Sequence, residues 1–373
     1  MKKQEGHGNF PDDCWELIFQ KLREDDERAL DSISLVSKRF LSISNRVKLS
    51  LKVRDKTLPL LLNLLRRFQN IETLLITAHK EIDGLLDLIS RSGVLNLQAI
   101  EFRWCMTEPP RAGFKALALN KNIKDDLKVL DCFGLVSMQD KDLVLIADLF
   151  PRLEELRIQA GKYFTIGKVA ARITDGVDAL ASKLKQLKEI ALEGKQICSI
   201  AKARPSLKML QLNCFEGKYF EIHGALKLLL QACQLTLKEL ILVRWSLTDT
   251  AISDLAQHLS NLTFIDLHAC FGLTSVIFYT LTKSCPSLET LKMAYTREQV
   301  MDNFSPKRLH ENYRMRHLDV FSNLLLTDMM LKNFGQVCPN LKFLSVSEFK
   351  RLTNLGIGEV LRRCPAITAY QWY

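Results

Sequence analysis

Apolar and polar positions along this chain fall into one short pattern, two leucine-like residues separated by two positions and a third two further on. In loose form, LxxLxL, it begins at Ile71, Leu97, Leu127, Leu153, Leu187 and Leu207. It begins again at Leu237, Leu262, Leu288, Met315, Leu341 and Ile367. The steps between successive starts are 26, 30, 26, 34, 20, 30, 25, 26, 27, 26 and 26 residues. Chance produces the triplet often, but not at one period. The last two apolar positions alternate with a polar one, as in a short strand with one face buried. A turn should follow, with a small buried residue at the eighth position, where Cys105, Cys270 and Asn323 stand. The next stretch, such as "LTDMMLKNFGQVCPN", spaces its apolar residues three and four apart, so a helix is predicted, and the proline stops it.

A unit of this size buries too few side chains to offset the entropy of ordering it, so neighbouring units must stack. The period and the triplet are those of the leucine-rich repeat. The predicted fold class is therefore α/β, a curved solenoid with parallel strands on the concave side and helices on the convex side. Irregular steps mark insertions. "TEPPRAGF" (107–114) contains a Pro-Pro turn that should leave the array. Two near-copies, "GKYFTIG" (161–167) and "GKYFEIHG" (217–224), read as caps of widened turns through Tyr163/Phe164 and Tyr219/Phe220. They lack the glycine spacing of a phosphate loop.

Composition adds limits. Of 373 residues, 47% are apolar and 25% charged, as in an ordinary folded protein. The net charge of +10 lies beyond residue 50, because residues 1–50 hold nine basic and nine acidic side chains. No Lys/Arg block with interleaved aromatics suggests nucleic-acid binding. The N-terminus lacks a signal-peptide core, and the richest apolar run, "LPLLLNLL" (58–65), is too short to span a bilayer. An intracellular protein of the cytoplasm and/or nucleus, without membrane attachment, is expected. Ten cysteines include no CxxC pair, and spacings such as Cys338 to Cys364 follow the repeat. They read as reduced, buried thiols, with no metal site, cofactor or catalytic residue in view.

The N-terminal stretch "FPDDCWELIFQKL" (10–22) puts Trp15, Ile18, Phe19 and Leu22 on one helical face. A second segment, "LDSISLVSKRFLSISNRV", spaces Ile33, Val36, Phe40, Ile43 and Val47 similarly, and no Gly or Pro interrupts residues 12–58. "VKLSLKV" (47–53) alternates as a capping strand ahead of the first repeat. About 40 residues of small helices have little core of their own, so some apolar surface should meet another chain.

Phe10-Pro11-Asp12-Asp13, Ile18-Phe19…Leu22 and "SLVSKRF" (34–40) resemble the F-box, and with the repeats behind them the chain resembles the F-box/leucine-rich-repeat family of plant-like type. Phe10, Asp13, Ser37 and Phe40 depart from the family's usual Leu, Glu, Cys and Trp. The resemblance implies an F-box at 8–46 and a solenoid of about twelve repeats at 47–373. It also implies docking on the adaptor subunit of an SCF-type ubiquitin ligase, and through it on a cullin. Phe10, Pro11, Trp15, Ile18, Phe19, Leu35, Val36 and Phe40 would make or support that contact. The repeats would hold an unknown substrate protein. Residues four and six places into the C-terminal triplets, with their neighbours, are the candidate face: Arg244, Trp245, His268, Lys292, Tyr295, Asp319 and Phe321. The chain thus reads as a non-catalytic substrate receptor. A hormone-like small-molecule receptor and an adaptor-bound scaffold are the alternatives.

Overall fold

The computed structural model describes residues 10–26, 28–78, 80–92, 96–158, 175–193, 200, 206–213, 223–296, 309–323, 326–346 and 352–372. Both GKYF loops fall outside these residues, apart from positions 223 and 224. The chain divides into two compact units, 1–171 and 172–373.

The first unit opens with α1 (Asp12–Asp25), α2 (Arg28–Ile33) and α3 (Lys38–Val47), then the strand β1 (Ser50–Val53). Four more strands follow, β2 (Thr73–Ile76), β3 (Ala99–Phe102), β4 (Val129–Cys132) and β5 (Glu155–Ile158). All pair in parallel with one register, so that Leu51, Leu74, Ile100, Leu130 and Leu156 stand in a row facing the core. Helices on the core side complete each repeat, and the capping strand expected at 47–53 is present as β1.

The second unit carries β6 (Glu189–Glu193), β7 (Met209–Asn213), β8 (Glu239–Val243) and β9 (Phe264–Asp266). It continues through β10 (Thr290–Lys292), β11 (His317–Asp319), β12 (Phe343–Val346) and β13 (Ala369–Trp372). These are parallel too, with Ile190, Leu210, Leu240, Ile265, Leu291, Leu318 and Leu344 in one inward row. The arrangement is an α/β solenoid-like stack, as the period requires. Eleven of the twelve triplet starts are buried, and only Ile367 is half-buried.

The turns after β3, β8, β9, β10 and β11 explain how those repeats join. Trp104, Arg244, Ala269, Tyr295 and Ser322, each four places after its inward strand residue, adopt left-handed φ of 55–62°. That conformation is costly for any residue with a Cβ. Here it swings the next side chain into the core, where Cys105, Trp245, Cys270, Thr296 and Asn323 are all buried. Cys105 Sγ–H donates to the Ile76 carbonyl at 3.3 Å and Cys270 Sγ–H to that of Leu242 at 3.1 Å. Asn323 Nδ2 donates to the Met293 carbonyl at 2.9 Å. For Cys105, Cys270 and Asn323 the acceptor belongs to the preceding repeat, two places after its first inward strand residue, whereas the Thr296 hydroxyl bonds Met293 of its own repeat and Asn323 of the next.

On the helix side a second set of contacts crosses between repeats. Asp249 accepts from Thr274 N and Oγ1 at 2.9 and 2.5 Å, and Asp328 from Thr353 N and Oγ1 at 2.9 and 2.6 Å. A Cβ at Gly356 would lie 2.2 Å from Asp328 Oδ1, so the glycine there is required by space. Cys285, Cys338 and Cys364 close the helices Val276–Ser284, Asp328–Val337 and Asn354–Arg363.

Two expectations need correcting. The Pro-Pro turn does not leave the array: Pro109 and Pro110 are buried, and Pro110 caps the helix Arg111–Leu119, whose Phe114 lies in the core. The extra residues of that repeat form a second short helix, Lys121–Asp126. Nor do Ile33, Val36, Phe40, Ile43 and Val47 share the one helical segment that their spacing suggested. The Ser37 hydroxyl accepts from Phe40 N at 3.1 Å and starts a new helix, leaving Val36 in the turn before it.

Burial pushes the Cys105 thiol up to about 11, that of Cys285 up to about 12, and that of Cys338 higher still. In mass-mapped labelling with a charged disulfide reagent, these three cysteines are expected to react at least a hundredfold more slowly in the native protein than after unfolding. Native-state labelling at the unfolded rate would remove them from the core.

Candidate functional site

Two surfaces qualify. The first belongs to the three N-terminal helices. Their own core is small: Phe19, Leu30, Ile43 and Val47 are buried, with Trp15, Leu22, Ile33 and Phe40 packed partly against them. Aromatic rings knit α1 to α3, with Trp15 and Phe40 centroids 4.7 Å apart and Phe19 and Phe40 5.2 Å apart. Phe10 stands edge-on to Trp15 at 6.0 Å. Arginines from α3 clamp the start of α1: Arg39 reaches Asp12 at 2.7 Å and the Phe10 carbonyl at 2.5 Å, and Arg46 reaches Glu16 at 2.6 Å. The Arg39 hydrogen bond holds the Asp12 carboxyl below its usual range.

That small core leaves large apolar side chains outside. Phe10 is 57% exposed, Ile18 41%, Leu35 86% and Val36 69%, and Pro11 is exposed as well. Of the residues named for this surface, Phe19 is spent on the internal core, while Trp15 and Phe40 are half-buried behind Phe10. Leu17, 67% exposed on α1, was missed. The signal for it was the pair Leu17-Ile18, of which a helical stripe turned to the core can take only one.

The second surface is the outward side of the second unit's strands. Asp266, Lys292 and Asp319 are in register on β9, β10 and β11, and Phe264, Thr290, His317 and Phe343 form the row beside them. Lys292 Nζ lies 5.3 Å from the Phe264 ring centroid, and the rings of His317 and Phe343 stack at 4.0 Å. Past the strand ends, His268, Tyr295 and Phe321 make a ladder of one ring per repeat, 5.1 and 5.4 Å apart and edge-to-face. Tyr295 reaches this ladder through its left-handed backbone, while Ala294 before it is buried.

The two aspartates also hold the turns. Asp266 Oδ1 accepts from His268 N at 2.9 Å, and Asp319 Oδ1 from Phe321 N at 3.0 Å. Burial pushes the Asp266 carboxyl up despite these bonds and despite Lys292. Burial also lowers His317 below its ordinary value, with Lys292 acting in the same direction.

The structure thus brings His268, Lys292, Tyr295, Asp319 and Phe321 to one face, with Arg244 exposed on the turn of β8. Trp245 does not join them. It is 2% exposed and its Nε1–H donates to the Leu212 carbonyl at 3.0 Å, because the left-handed Arg244 turns it into the buried position that Cys270 takes one repeat on. Trp245→Ala should therefore behave as a core truncation, costing about 3–5 kcal/mol of stability measured by chemical denaturation. Arg244→Ala should cost less than 1 kcal/mol by the same measure, as for an exposed side chain.

Comparison with known proteins places a family on part of this architecture. Residues 8–52 match the F-box domain, a span that takes in all three helices and most of β1. The crystal structure of the Rad7 and Elc1 complex from yeast resembles the chain with a TM-score of 0.53 at 14% identity, over 92% of this chain and 90% of that one. An internalin, InlF, from Listeria monocytogenes aligns with a TM-score of 0.47 at 15% identity, over 83% and 76% of the two chains.

Proposed function

We propose that this chain, in which an F-box precedes leucine-rich repeats, is the substrate-recognition subunit of an SCF-type cullin-RING ubiquitin ligase. An F-box is a docking module for a Skp1-type adaptor. The observation that carries the reading is the mismatch between the core of the three helices and their apolar surface. Four apolar side chains are buried there among the described residues, while Phe10, Leu17, Ile18, Leu35 and Val36 remain 41–86% exposed. Exposed apolar side chains gathered on so small a segment mark a surface that another chain covers.

In this role the protein performs no chemistry on its substrate. It holds a target protein near a ubiquitin-charged enzyme elsewhere in the complex, raising the effective concentration of the target's lysines. The partner would sit on the outward strand face of the second unit, where rigid, regularly spaced repeats present aromatic side chains beside charged ones, the composition of binding hot spots. Repeat stacking supports this use, since strands fixed by a common register lose little freedom when a partner docks.

Replacing Phe10 and Pro11 together by Ala should weaken capture of the purified adaptor by about 2–4 kcal/mol, as for loss of buried anchors. Leu35→Ala with Val36→Ala should have a comparable effect, because both side chains are exposed and contribute little to the internal core. Circular dichroism on the same samples separates loss of docking from loss of folding. Full adaptor affinity in both folded double mutants would refute the assignment of this surface.

A further inference from the structure

The strand face just assigned to the partner carries a charge opposite to that of the protein as a whole. The chain has a net charge of +10. Yet among the described residues strand alternation places Glu189, Glu239, Asp266 and Asp319 on the outward rows of β6, β8, β9 and β11, against one cation, Lys292, on β10. Basic residues do stand at the starts of several strands, at Lys188, Lys208, Lys238, Arg316 and Lys342. Lys238 turns away onto the Asn261 carbonyl at 3.4 Å, and Arg316 onto those of Tyr313 and Asn340 at 2.7 and 3.3 Å.

Aromatic rings flank the acidic positions. The ladder of His268, Tyr295 and Phe321 runs along one side of the Asp266–Lys292–Asp319 row, and Phe264, His317 and Phe343 along the other. A guanidinium or ammonium group gains from a ring face and from a carboxylate together, and a guanidinium also stacks flat on rings. On the described strand rows an acidic partner would meet the carboxylates of Glu189, Glu239, Asp266 and Asp319 and the ammonium of Lys292, which already rests on the Phe264 ring, with Arg244 beyond the rows on the turn of β8.

We propose that this face receives a basic segment of a partner protein, one that presents arginine or lysine to the Asp266–Asp319 row between the two lines of rings. The inference rests on the reading of this face as the partner site and adds the chemistry of the partner. It gives Lys292 a definite part, as an internal cation that moderates binding of an incoming one. Asp266 and Asp319 supply the charge while their other task, holding the turns, needs only a carbonyl-type oxygen.

That division allows a clean test, since Asp→Asn removes the charge and keeps an oxygen able to accept from His268 N and Phe321 N. Fluorescein-labelled nona-arginine and nona-glutamate would be titrated against the full-length protein by anisotropy at low and moderate salt. Nona-arginine is expected to bind, nona-glutamate not. The D266N/D319N variant should bind nona-arginine about tenfold more weakly, and K292M about threefold more tightly, as expected for charges within a few ångströms of the site. D25N/D26N, which removes two exposed carboxylates from the N-terminal helices, should bind as the parent does. Melting curves confirm that the variants are folded.

Equal binding by the parent and D266N/D319N, or weaker binding by K292M, would overturn the inference. Capture of nona-glutamate, lost in K292M, would also overturn it while leaving the face a partner site of the opposite sign. Failure of both peptides to bind would remove both this inference and the partner-face assignment, while adaptor capture by the helices would stand.

Discussion

Main-chain carbonyls at four of the strand ends set a problem that the neighbouring repeats solve. A parallel strand exiting toward solvent leaves polar groups facing the interior, and an unpaired one costs as much as a lost hydrogen bond. Here a buried side chain from the following repeat serves the carbonyl at the second inward position: Cys105 for Ile76, Trp245 for Leu212, Cys270 for Leu242 and Asn323 for Met293. A thiol, an indole and an amide do the same work because the geometry asks only for a donor that fits. The left-handed residue just before each of them is what aims it inward.

This explains what could be read from the sequence and what could not. The triplets were legible because three inward apolar residues at a fixed spacing leave little choice of register. Cys105, Cys270 and Asn323 were legible because small or polar residues at one repeat position suggest a shared buried role. Trp245 was not, because a large aromatic at a strand exit looks like a surface anchor until its backbone is seen. No rule of composition marks Arg244 as left-handed, since most residues that adopt that conformation are glycine or asparagine. On the N-terminal helices, the exposed Phe10, Ile18 and Leu35 were legible from the resemblance. The separate exposure of Val36 depends on Ser37 acting as a helix cap, a local hydrogen bond that competes with a longer helix.

The two candidate surfaces are built on different physics. On the helices, the apolar side chains are exposed because their segment is too small to fold them in, so the surface follows from size. On the second unit's strands, the outward residues are exposed by alternation alone, and the core would be equally content with any polar choice there. What distinguishes that face is therefore a matter of the side chains placed on it. The aspartates among them serve twice, as turn caps and as charges, which ties the chemistry of the face to the shape of the turns beneath it.

The join between α3 and β1 has a further meaning. Only Lys48 and Leu49 separate the two elements, and contacts cross the join: Asn70 donates to the Arg46 carbonyl at 2.8 Å, and Arg67 to the Asn45 side chain at 3.0 Å. A free linker would let the helices and the first repeat open independently. With no slack between them they form a single cooperative block, so a partner that clamps the helices also suppresses opening of the first repeat by mass action. The slowest-exchanging amides of β1 and β2 would then report occupancy of a surface they do not touch.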